Sequence, residues 1–249
     1  MASSIPQSAL QTESFGAEMD ARFRHVPDEF QHILKANKRG FRAGTILKIE
    51  GGDSSSVYVV LSGWLALSKS LADGARQIVD IVLPGGIVDP TSADGDTSAV
   101  QIEALSYAKV AVVPRGAWTK FGASEPMARH LQAATIAAAQ SRMSERMLRL
   151  GKGSAETRIA YALIELCMRA EAIGERRKGV CHLPLTQQLL GEYVGLTSVH
   201  VCRTMRRLTR NGVISIADHM DIVIRDPDTL ADIAGVDLAS LRQQIIPQH

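Results

Sequence analysis

Arg203, Arg206, Arg207 and Arg210 cluster around one predicted helix, opposed locally only by Glu192. Guanidinium groups at this density suit an anionic partner: each can meet a phosphate, and one can pair bidentately with a guanine edge. A solvated helix face can carry the same charges, so the surrounding elements must decide between the two. Ser198, Val199 and Cys202 stand near the start of the same helix, pointing outward or flanking. Outward residues at that end of such a helix are the ones a major groove would meet.

These side chains are positioned by the stretch from Thr186 to Leu208. Leu189, Leu190 and Val194 recur at helical spacing and give a first helix one apolar face. Gly195 sits where a sharp turn needs positive φ. Gly191 is small enough for close packing of a second helix, which Thr197 can N-cap. Leu196, Val201, Met205 and Leu208 supply the buried face of that helix. A helical hairpin in an ordinary core would share these features. The segment from Asn211 to Ile224 favours the other reading: an alternating strand, a polar turn and a second strand form a β-hairpin wing. Helix, turn, helix and wing together make a DNA-reading module more often than anything else.

The length of 249 residues suits two modest domains. A net charge of +2 is too small to predict nucleic-acid binding, so the local cluster carries that case. Cys167, Cys181 and Cys202 have no metal-like spacing and lie in the last third, which argues for a reducing compartment and against a disulfide framework. The polar start from Met1 to Phe23 has no signal-peptide core. No apolar run approaches the ~20 residues of a spanning helix. A cytoplasmic location away from membranes is expected.

Along the chain, residues 1–22 read as loosely ordered, and a short helix can begin near Pro27. From Arg42 short strands follow at near-regular spacing: Thr45–Leu47, Val57–Leu61, Trp64–Lys69, Ile78–Leu83, Val100–Leu105 and Val110–Val113. Gly51-Gly52-Asp53, Asp73-Gly74 and Pro84-Gly85-Gly86 punctuate them, the pattern of an antiparallel barrel or sandwich. From about Glu125 the period turns helical. Met127, Leu131, Ala134, Ala138, Met143, Met147 and Leu150 keep an apolar stripe with no glycine until Gly151. Such a helix can pack on the chain's own roll or pair with its twin; a lone helix this long has limited core to cover, so the stripe is read as a dimerisation face. Gly151-Lys152-Gly153-Ser154 reads as a hinge, Ser154 caps a helix from Ala155 to Glu171, and no internal repeat is visible. The predicted fold is α+β. It comprises the N-terminus 1–22, an antiparallel, jelly-roll-like β-roll sensory domain over 23–124, a long dimerisation helix over 125–150, and a winged helix-turn-helix over 154–249.

In this order the chain resembles the Crp–Fnr superfamily of bacterial transcription regulators, over roughly residues 40 to 225. The sharpest points are Tyr58 to Gly63, Asp73-Gly74 with Arg76-Gln77-Ile78, Leu83-Pro84-Gly85, and Gly195 to Thr204. The resemblance implies a homodimer on palindromic double-stranded DNA, with RNA polymerase as a further partner. Position by position it places base reading on Ser198, Val199, Cys202 and Arg203. Many members carry glutamate where this chain has Val199, which can touch a thymine methyl but cannot accept from cytosine. Phosphate contacts fall on Thr186, Gln187, Gln188 and Thr197, with His200, Arg206 and Arg207 in reach of others.

For an effector, the family's cyclic-nucleotide site needs a Gly-Glu pair and an arginine after the Pro-Gly turn. Here Gly85 to Asp96 supplies neither, and no Lys or Arg stands between Arg76 and Lys109 while Asp80, Asp89, Asp94, Asp96 and Glu103 do. A phosphate would meet repulsion. The roll has no cysteine for an iron–sulfur cluster. From residue 33 to 129 there is no histidine either, which leaves only His25 and His32 ahead of that stretch as haem ligands and counts against a metal-dependent roll enzyme. Asp96 and Glu103 lack the nucleophile or oxyanion donors that acid–base catalysis would need. The expectation is therefore no enzyme and no cofactor. The alternatives are gating by an unidentified small molecule, a redox signal at Cys202 (whose arginine neighbours favour a reactive thiolate), or a roll-based metalloenzyme with an appended helical domain.

Overall fold

The computed structural model describes residues 27–175, 179–217 and 220–247, without the side chains of Met127 and Ala128. The N-terminal stretch 1–22, His25, residues Arg176 to Lys178, and Asp218 and His219 lie outside the described residues. Two compact units emerge: one holds the chain up to Leu65 with Val82–Pro126, the other Ala66–Ile81 with Met127 onward.

The first unit opens with α1 (Asp28–Ala36), which follows Pro27 as expected and carries Asp28 and Glu29 at the positive end of its dipole. Strands β1 (Lys38–Phe41), β2 (Ile46–Lys48), β3 (Ser56–Ser62), β6 (Ile87–Val88), β7 (Gln101–Ala104) and β8 (Ala108–Pro114) belong here. One sheet runs β1-β8-β3-β6, all antiparallel, and β2 pairs antiparallel with β7. The β3 residues Val57 to Val60 are buried on both faces, so the strand is a continuous apolar run rather than an alternating one. Helix α2 (Arg115–Ser124) follows β8 directly. Phe30 of α1 stacks on Phe121 of α2 at 4.8 Å, with the Trp118 ring tilted against both. Sequence reasoning missed β1, β6 and α2. The first is exposed and basic, the second has two residues, and the third carries two glycines and forms where Trp118 and Phe121 are buried.

The second unit holds most of the hairpin β4 (Leu65–Ser70) and β5 (Arg76–Val82), which turns at Asp73-Gly74 as predicted. There the Ala75 amide donates to the Asp73 carboxylate. The long helix α3 (Pro126–Lys152) passes through Gly151 without a break, so the hinge shrinks to Gly153-Ser154. Ser154 caps α4 (Ala155–Ala172) by accepting from the Thr157 amide at 3.1 Å. From Ile159 to Cys167 every α4 residue is buried, the signature of a helix surrounded by others. Helices α5 (Gln187–Val194) and α6 (Ser198–Arg210) form the helix-turn-helix. The wing is β10 (Ile214–Ala217) and β11 (Asp221–Ile224), extended by β9 (Cys181–His182) into a three-stranded sheet ordered β10-β11-β9.

Two corrections concern this unit. The seven residues read as one apolar stripe on α3 divide between two faces. Ala138 is 4% exposed and turns inward, Leu131, Ala134 and Leu150 are half-buried, and Met143 and Met147 are exposed. The inward face is completed by Arg142, Arg146 and Arg149, all buried, which periodicity counts as polar. The exposed side carries Ala133, Ile136, Gln140, Met143 and Met147 at alternating three- and four-residue steps. The side chain of Met127 is not described.

The second correction is a structural repeat. Helices α7 (Pro227–Ala234) and α8 (Leu238–Ile245) flank a turn of the same form as that between α5 and α6. Thr186, Gly195 and Thr197 recur as Asp226, Gly235 and Asp237 at identical spacing, each cap side chain accepting from the amide three residues on. Both glycines are left-handed, with φ 66° and 64°. The Leu196 amide reaches back to Gly191 O and the Val236 amide to Ala231 O in the same way. Both helix pairs pack on α4.

Candidate nucleic-acid interface

The first helix pair takes its shape from two glycines and two hydroxyls. A Cβ on Gly191 would lie 2.4 Å from the Leu196 carbonyl oxygen, so this position lets the turn close. Thr186 accepts from the Leu189 amide at 3.1 Å and Thr197 from the His200 amide at 3.4 Å. Val201, Met205 and Leu208 are buried as predicted, with Thr204 beside them, and Leu196 is half-buried. That leaves Ser198, Val199, His200, Arg203, Arg206, Arg207 and Arg210 exposed and Cys202 half-buried. Val199 is 65% exposed, a large apolar side chain held out in solvent.

Gln187, Ser198, Val199, Cys202, Arg203, Arg206, Arg207 and Arg210 line one open groove of about 720 Å³. All four predicted base-reading residues and all four arginines therefore meet in one concavity, joined by Gln187 from α5. Arg203, Arg206 and Arg210 have no ion-pair partner among the described residues. Arg207 differs: its Nε and Nη2 donate to the two carboxylate oxygens of Glu156 at 3.0 and 2.5 Å. Sequence proximity pointed to Glu192 as the opposing acid. Glu192 instead faces Arg76, 3.6 Å away on β5, and accepts from Gln188. Glu156 is 51 positions from Arg207, so no local pattern could reveal it. His200 Nδ1 lies 2.9 Å from the Thr197 hydroxyl.

Beneath the groove a buried charge cluster holds the reading helices in place. The Tyr193 hydroxyl of α5 donates to both carboxylate oxygens of Glu165 in α4. Arg169 donates to the same carboxylate at 2.9 Å and to Ile81 O at 2.6 Å. Asp80 of β5 accepts from Arg142 at 2.8 Å and Arg146 at 3.2 Å. Arg146 also stacks over the Tyr193 ring at 4.7 Å, and Gln77 donates to Tyr193 O. Burial opposes the charge on Asp80, but Arg142, Arg146 and Arg169 together hold its carboxyl well below the usual range. Burial, reinforced by Glu165, keeps the Tyr193 phenol neutral. Each turn of the repeat is also held by a guanidinium. Arg158 donates to Gly195 O at 3.3 Å, and Arg149 donates to Ala234 O and Gly235 O at 3.0 and 3.2 Å.

In the first unit, the loop after Leu83-Pro84-Gly85 is occupied by its own polar groups. Asp89 accepts from Thr91 and, at 2.9 Å, from Arg115, which also reaches the Ser54 hydroxyl. Arg115 is the cation that a scan from Arg76 to Lys109 passes over, and its charge is matched by Asp89. Asp94 accepts from Ser92 and from the amide and hydroxyl of Thr97, which hold its carboxyl low. Asp96 sits in that turn and Glu103 on β7. His32 is exposed on α1.

Known proteins share both halves. The Crp-like helix-turn-helix domain family matches residues 157–233, and the cyclic nucleotide-binding domain family matches 38–125. The nitrogen fixation regulation protein FixK of Bradyrhizobium diazoefficiens is 30% identical over 229 residues, 91% of this chain and 92% of that protein. The chain belongs to the Crp–Fnr family of transcription regulators. The transcriptional activator protein Anr of Pseudomonas aeruginosa is 28% identical over 84% of each chain. The structure of FixK2 from Bradyrhizobium japonicum superposes with a TM-score of 0.72 at 27% identity, covering 80% of this chain and 98% of that one. Among the described residues no helix is long and apolar enough to cross a membrane.

Proposed function

We propose that this member of the family acts as a cytoplasmic homodimer. Each subunit lays α6 in a major groove and reads one half of a palindromic site. The observation that carries this is the groove itself, where Ser198, Val199, Cys202 and Arg203 share one concavity with the remaining arginines. Arg203 is suited to a guanine edge and Val199 to a thymine methyl. Thr186, Gln187, Gln188, Thr197, His200 and Arg206 flank the groove and supply phosphate contacts, which set register without reading sequence. The exposed seam on α3, Ile136-Gln140-Met143-Met147, has the spacing of a two-helix coiled coil and supplies the dimer contact. RNA polymerase is the further partner this family role requires. The function is regulatory rather than enzymatic.

We further infer that no cyclic nucleotide is needed. The loop that would receive its phosphate presents Asp89, Asp94 and Asp96, and the guanidinium of Arg115 that reaches it is paired with Asp89. A fluorescence titration on a labelled duplex, with no ligand added, tests the interface. The parent protein is expected to bind, and joint replacement of Arg203, Arg206 and Arg210 by alanine is expected to abolish binding. Equal affinity of the two proteins would remove the assignment.

A further inference from the structure

Glu156 lies in the first turn of α4, behind the Ser154 cap, where the helix dipole favours a carboxylate. It is the acid that engages one of the groove's four arginines, through a two-point contact with Arg207 at 3.0 and 2.5 Å. We propose that Glu156 is a specificity-setting residue: it withholds Arg207 from the DNA backbone and so lowers sequence-independent binding. The proposal rests on the DNA-reading assignment above.

A phosphate contact attracts every sequence alike, whereas Arg203 and Val199 discriminate between sequences. A carboxylate bonded to the Nε–Nη2 edge of Arg207 occupies that fork and offsets the charge of the guanidinium, leaving only its Nη1 end to offer a phosphate. It also places a negative charge beside the approaching backbone. The pair therefore cancels one of the four groove cations and leaves Arg203, Arg206 and Arg210 to act. The bond to α4 also ties the last turn of α6 to that helix, so Arg207 doubles as a strut.

The test measures affinity for a duplex of random sequence against salt, for four proteins: parent, Glu156→Gln, Arg207→Ala and the double variant. Glutamine keeps the size of Glu156, so the helix is preserved, but it has no charge and only one acceptor oxygen, so the two-point contact with Arg207 is lost. Glu156→Gln is expected to steepen the salt dependence by about 0.9 per subunit, one phosphate's worth. The gain in affinity between about 200 and 50 mM salt then grows by a further ~3.5-fold per subunit, or ~12-fold for a dimer. Arg207→Ala alone should leave the slope near that of the parent, and the double variant should return to it. A slope lowered by Arg207→Ala alone would show that Arg207 already contacts phosphate, and a Glu156→Gln effect that persists in the double variant would assign it to bulk charge. Either result overturns the proposal. Failure of the parent to bind any duplex at low salt would instead remove the DNA-reading assignment and the proposal with it.

Discussion

The Tyr193 hydroxyl donates to Glu165 Oε1 and Oε2 at 3.0 and 2.9 Å, with Glu165 fully excluded from solvent. One phenol thereby joins the first reading helix to the helix on which the module is packed. A buried carboxylate that loses a donor keeps its desolvation cost. Tyr193→Phe is therefore expected to destabilise the fold by about 1–3 kcal/mol. Denaturant unfolding with an unchanged slope would register this. A midpoint equal to that of the parent would show that Arg169 suffices to satisfy Glu165.

Asp80 makes the second connection, through Arg142 and Arg146 of the long helix. Its folded carboxyl titrates well below the unfolded value of 3.8, so its stabilisation is present above that value and is lost as pH falls below about 4. Asp80→Asn leaves three buried arginines facing Glu165 alone and is expected to cost about 3–5 kcal/mol near neutrality. The variant should also show a shallower loss of stability on acidification than the parent. Parallel stability–pH curves for the two proteins would show that Asp80 is not the titrating group.

On the long helix, Ile136 is 58% and Met147 68% exposed, a large apolar investment for a surface. Replacing both by glutamate is expected to convert the proposed dimer to monomer in sedimentation velocity, with weaker binding to a symmetric site. A dimer that survives both changes would place the contact elsewhere.

Cys202 lines the groove beside Arg203 and Arg206 and is half-buried. Oxidation there would add bulk and charge at the reading face, so peroxide is expected to weaken DNA binding by the parent. Cys202→Ser should resist the same treatment. Equal sensitivity of the two proteins would make Cys202 merely a small residue that fits the groove.

Local patterns made much of this molecule readable. The turn at Gly195, the caps at Ser154 and Thr197, the hairpin at Asp73-Gly74 and the face of α6 all depend on neighbours within a few residues. The missed features depend on distance. Glu156 meets Arg207 across 51 positions and Asp80 meets Arg142 across 62, so neither pairing leaves a periodic trace. Buried arginines on α3 led periodicity to assign that face to solvent, which merged two sides of the helix into one stripe. The second turn at Gly235 was legible in principle, since Asp226, Gly235 and Asp237 repeat the spacing of Thr186, Gly195 and Thr197. Its second helix carries the single Arg242 where α6 carries four arginines, so charge patterning gave it no emphasis.

The most direct test of the central claim is selection of bound duplexes from a random DNA pool, with ligand-free protein at low and moderate salt. The account predicts a two-fold symmetric motif that survives moderate salt, its half-sites about one helical turn (~34 Å) apart. Arg203→Ala should then relax one position in each half. Recovery that vanishes with salt and yields no motif would mean that only phosphate contacts operate, and would contradict a reading helix at Ser198 to Arg207.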